Sequence, residues 1–225
     1  MGEAIGQVLS FGVGVALSPV PIIAVVLMLA TPKGRVSGPA FIGGWIVGLA
    51  GLGAVLLVAA SGAEAGSGGA PREWVSIAKI VLGVLLLLVA ARQWRGRPRG
   101  DAQPELPAWM KTIDTFTPPQ AFGMGILLSA ANPKNLILVV GAAAAIAQTG
   151  VDTADQAVAL AVFVVLGTLG PGIPVGIYFL MRHHAAAILE SLRGWMAREN
   201  TTIMAVLCLV IAAKLIGDAI STLAS

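Results

Sequence analysis

The chain has 225 residues, of which 57% are hydrophobic and 11% charged, with a mean hydropathy of +0.89. A soluble domain carries about 25% charged residues, so this composition excludes a water-soluble fold and describes an integral membrane protein. The net charge of +3 comes from basic residues between apolar stretches, which membrane orientation explains without nucleic acid, and the single cysteine, Cys208, excludes an internal disulfide or two-thiol relay.

Six membrane spans follow from the rule that ~20 apolar residues cross the hydrocarbon core. The first runs near Ala4–Ala30. Only Glu3 precedes it, so it lacks the basic flank of a signal peptide and is too long for its apolar core. The second runs near Gly38–Ser61, and the Gly/Ser/Ala-rich Ser61–Ala70 follows as a loop. The third, Trp74–Ala91, carries Lys79 close to one end, where snorkelling to the interface is expected. Arg92–Gln103 reads as a solvated linker, and Pro107–Phe116 as a short amphipathic helix with Trp109, Met110, Ile113 and Phe116 on one face. The fourth span is Ala121–Gln148 and the fifth Ala157–Met181. His183–Asn200 gathers Ile188, Leu189, Leu192, Trp195 and Met196 on one face, an interfacial helix near 185–198 or one packed on the bundle. The sixth span is Thr201–Ile220.

Two helix-breaking motifs interrupt these spans well inside their apolar stretches. Ser18-Pro19-Val20-Pro21 breaks the first, and Asn132-Pro133-Lys134-Asn135 breaks the fourth. Hydrocarbon offers no substitute for broken backbone hydrogen bonds. Broken helices in corresponding places of two halves point to a transporter's binding site. The halves also resemble one another: Phe11, Gly12, Gly14, Leu17 and Ser18 recur 111 residues later as Phe122, Gly123, Gly125, Leu128 and Ser129. A weaker match sets Gly48, Gly51 and Gly53 against Gly167, Gly170 and Gly172, at a spacing of 119.

The expected fold is therefore an all-α membrane protein with six transmembrane helices. Two inverted three-helix repeats, 1–99 and 118–225, are joined by a linker at 100–117, and helices one and four are broken. Basic residues set the orientation. Lys33, Arg35, Arg92, Arg95, Arg97, Arg99, Lys111, Arg182, Arg193 and Arg198 follow spans one, three and five, while Arg72 stands alone on the opposite side. Those loops face the cytoplasm and both termini face outward.

Lys134 is the sharpest signal, a lysine at membrane depth that costs at least ~2.5–3.5 kcal/mol if uncompensated. Two compatible readings apply. It faces a cavity and meets an anionic group, or it bonds carbonyls freed by the Pro133 break. Asn132 precedes Pro133 and suits the cap of a half-helix, as Ser18 does before Pro19, while Ser18 and Ser129 bond either substrate or backbone. The candidate substrate-binding set is Ser18, Pro19, Pro21, Ser129, Asn132, Pro133, Lys134 and Asn135. In span five, Gly170, Pro171, Gly172 and Pro174 predict a kink or local unwinding, hence a hinge; close packing through small residues is the alternative. Lys214 and Asp218 stand four apart on span six, either as a surface ion pair or with Lys214 turned into a cavity. Midplane Asp, Glu and His are absent from every span, which argues against a metal site, a proton relay or a catalytic constellation. No cofactor and no enzymatic activity is expected.

These residues resemble the lysine exporter (LysE) superfamily, and more closely its GAP branch, the Sap/SfLAP-type proteins of actinobacteria. The resemblance rests on Leu17-Ser18-Pro19-Val20-Pro21-Ile22, on Lys33-Gly34-Arg35 and on Gly43-Gly44-Trp45-x-x-Gly48. It continues through Pro107-x-Trp109-Met110-x-x-Ile113-Asp114-x-x-Thr117-Pro118 and Leu127-Leu128-Ser129-x-x-Asn132-Pro133-Lys134-Asn135-Leu136 to Lys214-Leu215-Ile216-Gly217-Asp218. It implies a six-span exporter in the plasma membrane; some mycobacterial members are associated with moving peptidoglycolipids or sulfolipids to the cell surface. Amino-acid-exporter branches carry Pro-Gly-Pro where Ser18-Pro19-Val20-Pro21 stands here, a departure that argues against an amino-acid substrate. The expected function is export of an anionic or amphiphilic substrate, a cell-envelope (glyco)lipid or its precursor. A small-solute exporter of amino-acid or ion type and an accessory subunit of a lipid-export complex are the alternatives. The partners implied are membrane lipids and the substrate, with a homodimer and lipid-export machinery left open.

Overall fold

A computed structural model describes residues 2–66, 71–96, 108–181 and 184–223. All regular structure there is helical: α1 (Gly2–Ala16), α2 (Pro19–Leu29), α3 (Gly34–Gly66), α4 (Pro71–Arg95), a 3₁₀ segment (Ala108–Thr115), α5 (Pro118–Ala130), α6 (Pro133–Gln148), α7 (Thr153–Leu180) and α8 (Ala185–Leu223). Four of these helices are long and apolar enough to cross a membrane. The pairs α1–α2 and α5–α6 pass the same test together, bent by 52° and 62°, which gives up to six spans. This is a multi-pass membrane protein.

Both bends fall at the two sequence breaks, and the cause is chemical. Pro19, Pro21 and Pro133 have no N–H, so each helix stops before its proline and restarts with that proline in the first turn. Ser18 and Asn132 take extended backbone angles between the half-helices, as residues before proline prefer.

The bundle interlocks its halves. α1 lies against α7 and α5 against α3, while α4 packs along α8. Glycines allow the backbones to approach. A Cβ on Gly44 would sit 1.9 Å from the Phe122 carbonyl oxygen, and one on Gly170 would sit 1.9 Å from that of Ala16. Gly48 faces Ile126 of α5, and Gly167 faces Val15 of α1. These two contacts are related by the same spacings, 119 and 111, that relate the sequence repeats.

Three expectations change. The local unwinding foreseen at Gly170, Pro171, Gly172 and Pro174 is not found: α7 runs unbroken through both prolines, and Gly170 is required by its contact with α1. The segment near 185–198 is not a separate helix but the first turns of the 39-residue α8. At ~1.5 Å per residue α8 is nearly twice as long as the ~30 Å hydrocarbon core, and Leu189 and Met196 are buried against the bundle. The amphipathic segment after Pro107 is 3₁₀ rather than α; it ends at Thr115, two residues before the Thr117 cap of α5, and it buries Met110 and Ile113 beside α2. The rest of the expected linker, 100–107, lies outside the described residues, as do Arg182 and His183.

The glycine contacts give a direct test. Gly170→Ala forces α1 and α7 apart and should lower stability by about 1–3 kcal/mol, read as a drop in melting temperature in detergent. Nothing lies within 4 Å of a Cβ placed on Gly51. Gly51→Ala should therefore be neutral or stabilising by up to ~1 kcal/mol, since alanine is the better helix former.

Candidate functional site

The two breaks face each other, and one lysine joins them. Lys134 lies in the first turn of α6 with its side chain 3% exposed. Its Nζ donates to the Gly14 carbonyl oxygen at 2.7 Å and to Ser18 Oγ at 2.7 Å. Both acceptors belong to the first break. In a continuous helix the Gly14 carbonyl would receive the N–H of Ser18. Here that N–H turns to Val15 at 3.2 Å, so Gly14 is left without its helical donor and Lys134 supplies one from the other half of the chain.

The second break is closed in the same way. One carbonyl it frees is that of Leu128, which would otherwise accept from Asn132. Asn135 Nδ2 donates to it at 3.1 Å. Asn135 Oδ1 then accepts the Ser18 hydroxyl at 3.1 Å. A continuous relay results: Leu128 carbonyl, Asn135, Ser18, Lys134, Gly14 carbonyl. Ser18, Lys134 and Asn135 are all at least 97% buried.

No carboxylate balances the Lys134 ammonium in this relay. The helix geometry supplies part of the compensation. Gly14 lies in the last turn of α1, where the unpaired carbonyls carry partial negative charge. A cation there gains ~0.3–1 kcal/mol at a surface and up to ~2 kcal/mol when partly buried. Charged hydrogen bonds of ~1.5–3 kcal/mol add to that.

The other candidate residues take different places. Asn132 caps α6 as expected, its side chain accepting the Lys134 N–H at 3.1 Å. Ser18 does not cap α2; its hydroxyl is committed to the relay. Ser129 is fully buried and donates to the Ile126 carbonyl at 3.0 Å, with its hydroxyl against the bare face of Gly48. Pro19 and Pro21 are buried in the first turns of α2. Lys214 lies outside this site. Its Nζ bonds Asp218 Oδ2 at 2.6 Å and Gln7 Oε1 at 3.3 Å, the ion pair the spacing suggested.

Two residues play parts the sequence reading did not assign. Trp45, fully buried, donates its indole N–H to the Gly167 carbonyl at 3.3 Å. Pro171 has no N–H to offer that carbonyl, so Trp45 replaces it. The signal was present as a tryptophan within Gly43-Gly44-Trp45-x-x-Gly48, but its partner was not legible. Lys79 does not snorkel: it is 3% exposed and donates to Gln148 Oε1. Among the described residues no three His, Cys, Asp or Glu side chains converge as metal ligands would.

The family described as Sap, sulfolipid-1-addressing protein, matches residues 8–221. No curated protein and no solved structure matches the chain.

A double-mutant cycle tests the relay. Ser18→Ala and Lys134→Met should each lower the melting temperature. Their combination should be less damaging than the sum, with a coupling of about 0.5–3 kcal/mol. Additive losses would show that the Lys134–Ser18 contact contributes nothing.

Proposed function

The chain belongs to the Sap, sulfolipid-1-addressing protein, family, and on that basis we propose that it exports an anionic or zwitterionic amphiphile, a cell-envelope lipid or its precursor, across the plasma membrane. The observation that carries the reading is the Lys134 relay. A buried ammonium held by one backbone carbonyl and one hydroxyl has no permanent counter-ion in that relay. An anionic group reaching this point replaces the Gly14 carbonyl as the partner of Lys134. Gly14 is then released and the break in α1–α2 loosens. Substrate charge and helix opening are thereby coupled at one atom. Pro19, Pro21 and Pro133 keep the breaks open to such change, because the hydrogen bonds that would heal them cannot form.

The transport path follows from an inverted repeat. Its support is the matched packing of α1 on α7 and α5 on α3, and the paired contacts Gly48–Ile126 and Gly167–Val15. Three spans per half give the halves opposite orientations, with both termini outside. A second reading, an accessory subunit of a lipid-export complex, draws on the closure of the relay, in which Ser18, Lys134 and Asn135 already bond one another or the freed carbonyls.

Lipidomics of the outer envelope in a deletion strain tests the function. Loss of one envelope lipid class from the surface, with its accumulation inside, is expected. Wild-type protein should restore it, Lys134→Met should not, and Lys134→Arg should restore part, since charge persists but geometry changes. An unchanged envelope profile would remove the export reading. Transport by the purified protein alone in liposomes separates exporter from accessory subunit.

Orientation has its own test. In a Cys208→Ala background, cysteine at Lys33, in the α2–α3 turn, should label from the cytoplasm. Cysteine at Thr153, at the start of α7, should label from outside. Labelling of both from one side would refute the inverted arrangement.

A further inference from the structure

A second polar cluster lies at the end of the bundle that carries Gly2 and Leu223, apart from the Lys134 relay. It joins α1, α4, α6 and α8 through Gln7, Ser76, Lys79, Gln148, Lys214 and Asp218. Lys214 is paired with Asp218 at 2.6 Å and also bonds Gln7, with its ammonium 5.8 Å from the centre of the Phe11 ring. Lys79 donates to Gln148 Oε1, and its stretch of α4 packs along the part of α8 that carries Lys214 and Asp218, with Gly83, one turn on, against Ile216. Among the described side chains the cluster therefore holds two ammonium groups and one carboxylate.

Its remaining groups are donors. Ser76 lies one turn before Lys79 on the same face of α4, fully buried, and its hydroxyl has no partner among the described residues. Gln148 turns its oxygen to Lys79, leaving its buried Nε2 without a partner among the described residues. A purely structural cluster would match its charges and satisfy its donors, because burial without partners is costly. Among the described residues, two ammonium groups gather here with a hydroxyl and an amide that lack acceptors, a set that suits an anion with several acceptor oxygens.

We propose that this cluster binds a sulfate or phosphate group, as an anionic lipid headgroup presents it. Lys79 supplies the charge, and Ser76 and Gln148 Nε2 supply directional hydrogen bonds. In the export reading this is a station at the outer end of the path, but the site itself does not rest on that reading.

The test is a thermal-shift titration of the purified full-length protein in a neutral detergent. The probes are dihexanoyl phosphatidylglycerol, dihexanoyl phosphatidylcholine and sodium sulfate. The anionic lipid should raise the melting temperature at concentrations where the zwitterionic lipid does not. Ser76→Ala, which changes no charge, should weaken its apparent affinity about three- to tenfold. Lys79→Gln should abolish the effect, and Arg193→Gln, a charge change elsewhere on the chain, should leave it intact. A Ser76-dependent response to sulfate as well would identify a site for the bare anion; a response to the lipid alone would identify a headgroup site, and either supports the proposal. Equal responses to the two lipids would overturn it, as would wild-type affinity in Ser76→Ala. If Lys79→Gln does not fold, Ser76→Ala decides alone. Because binding and not transport is read, failure here leaves the export proposal standing, and the reverse.

Discussion

A carbonyl that loses its N–H inside an apolar bundle must find another donor, and at three such carbonyls a side chain from elsewhere in the described fold supplies it. Gly14 is served by Lys134, Leu128 by Asn135 and Gly167 by Trp45. Two lie at the proline-bearing breaks and the third four residues before Pro171 inside the continuous α7, and an unsatisfied polar group in hydrocarbon costs several kcal/mol. Two of the three replacement donors come from the opposite half of the chain, Lys134 to Gly14 and Trp45 to Gly167. The same interactions that repair the helices therefore tie the halves together. Without them the breaks at Pro19 and Pro133 would be defects. With them, the breaks become the joint.

Close packing is the condition that lets these donors reach. An ammonium at 2.7 Å from a backbone oxygen requires α6 to approach α1 closely. The indole of Trp45 reaches the Gly167 carbonyl of α7, and Gly167 itself has no side chain, so Val15 and Leu49 pack close against its bare face. Lipid tails are as apolar as the side chains, so burial of apolar surface does not drive such packing; van der Waals fit and interhelical hydrogen bonds do. The chain's glycines act at this level. At Gly44, Gly125 and Gly170 the clash would be with backbone oxygen, 1.9–2.2 Å from an added Cβ, which rotamer change cannot relieve.

The sequence was most legible where backbone chemistry is decisive. Proline positions located both breaks, since a missing N–H is a local property. Asn132 was recognisable as a cap for the same reason. Lys134 stood out because a charge in an apolar run has to be compensated. What could not be read was the partner. That Ser18 would accept from Lys134 and donate to Asn135, instead of capping its own helix, depends on contacts across more than a hundred residues of chain. Lys79 illustrates the same limit. Its position near a span end suggested snorkelling, but Gln148 and the packing of α4 along α8 give it a buried environment that no local pattern encodes. Gly170 and its neighbours suggested local unwinding because proline and glycine weaken an isolated helix. α7 is continuous there and packs on α1 through Gly170, the alternative the small residues also offered, as tertiary contact overrides propensity.

A lysine suits the joint better than an arginine for a geometric reason. The Lys134 ammonium is a compact point donor that takes its partners one by one, here a carbonyl and a hydroxyl on the same break. Three N–H groups serve two protein acceptors in the described relay. A guanidinium would present five donors in a plane and leave more of them without acceptors in the same space. Its two contacts are separate hydrogen bonds, so under the proposed export reading an anion would displace one while the other holds. Under the proposed export reading, the Gly14 carbonyl would be the contact to yield first, because Ser18 is also held by Asn135.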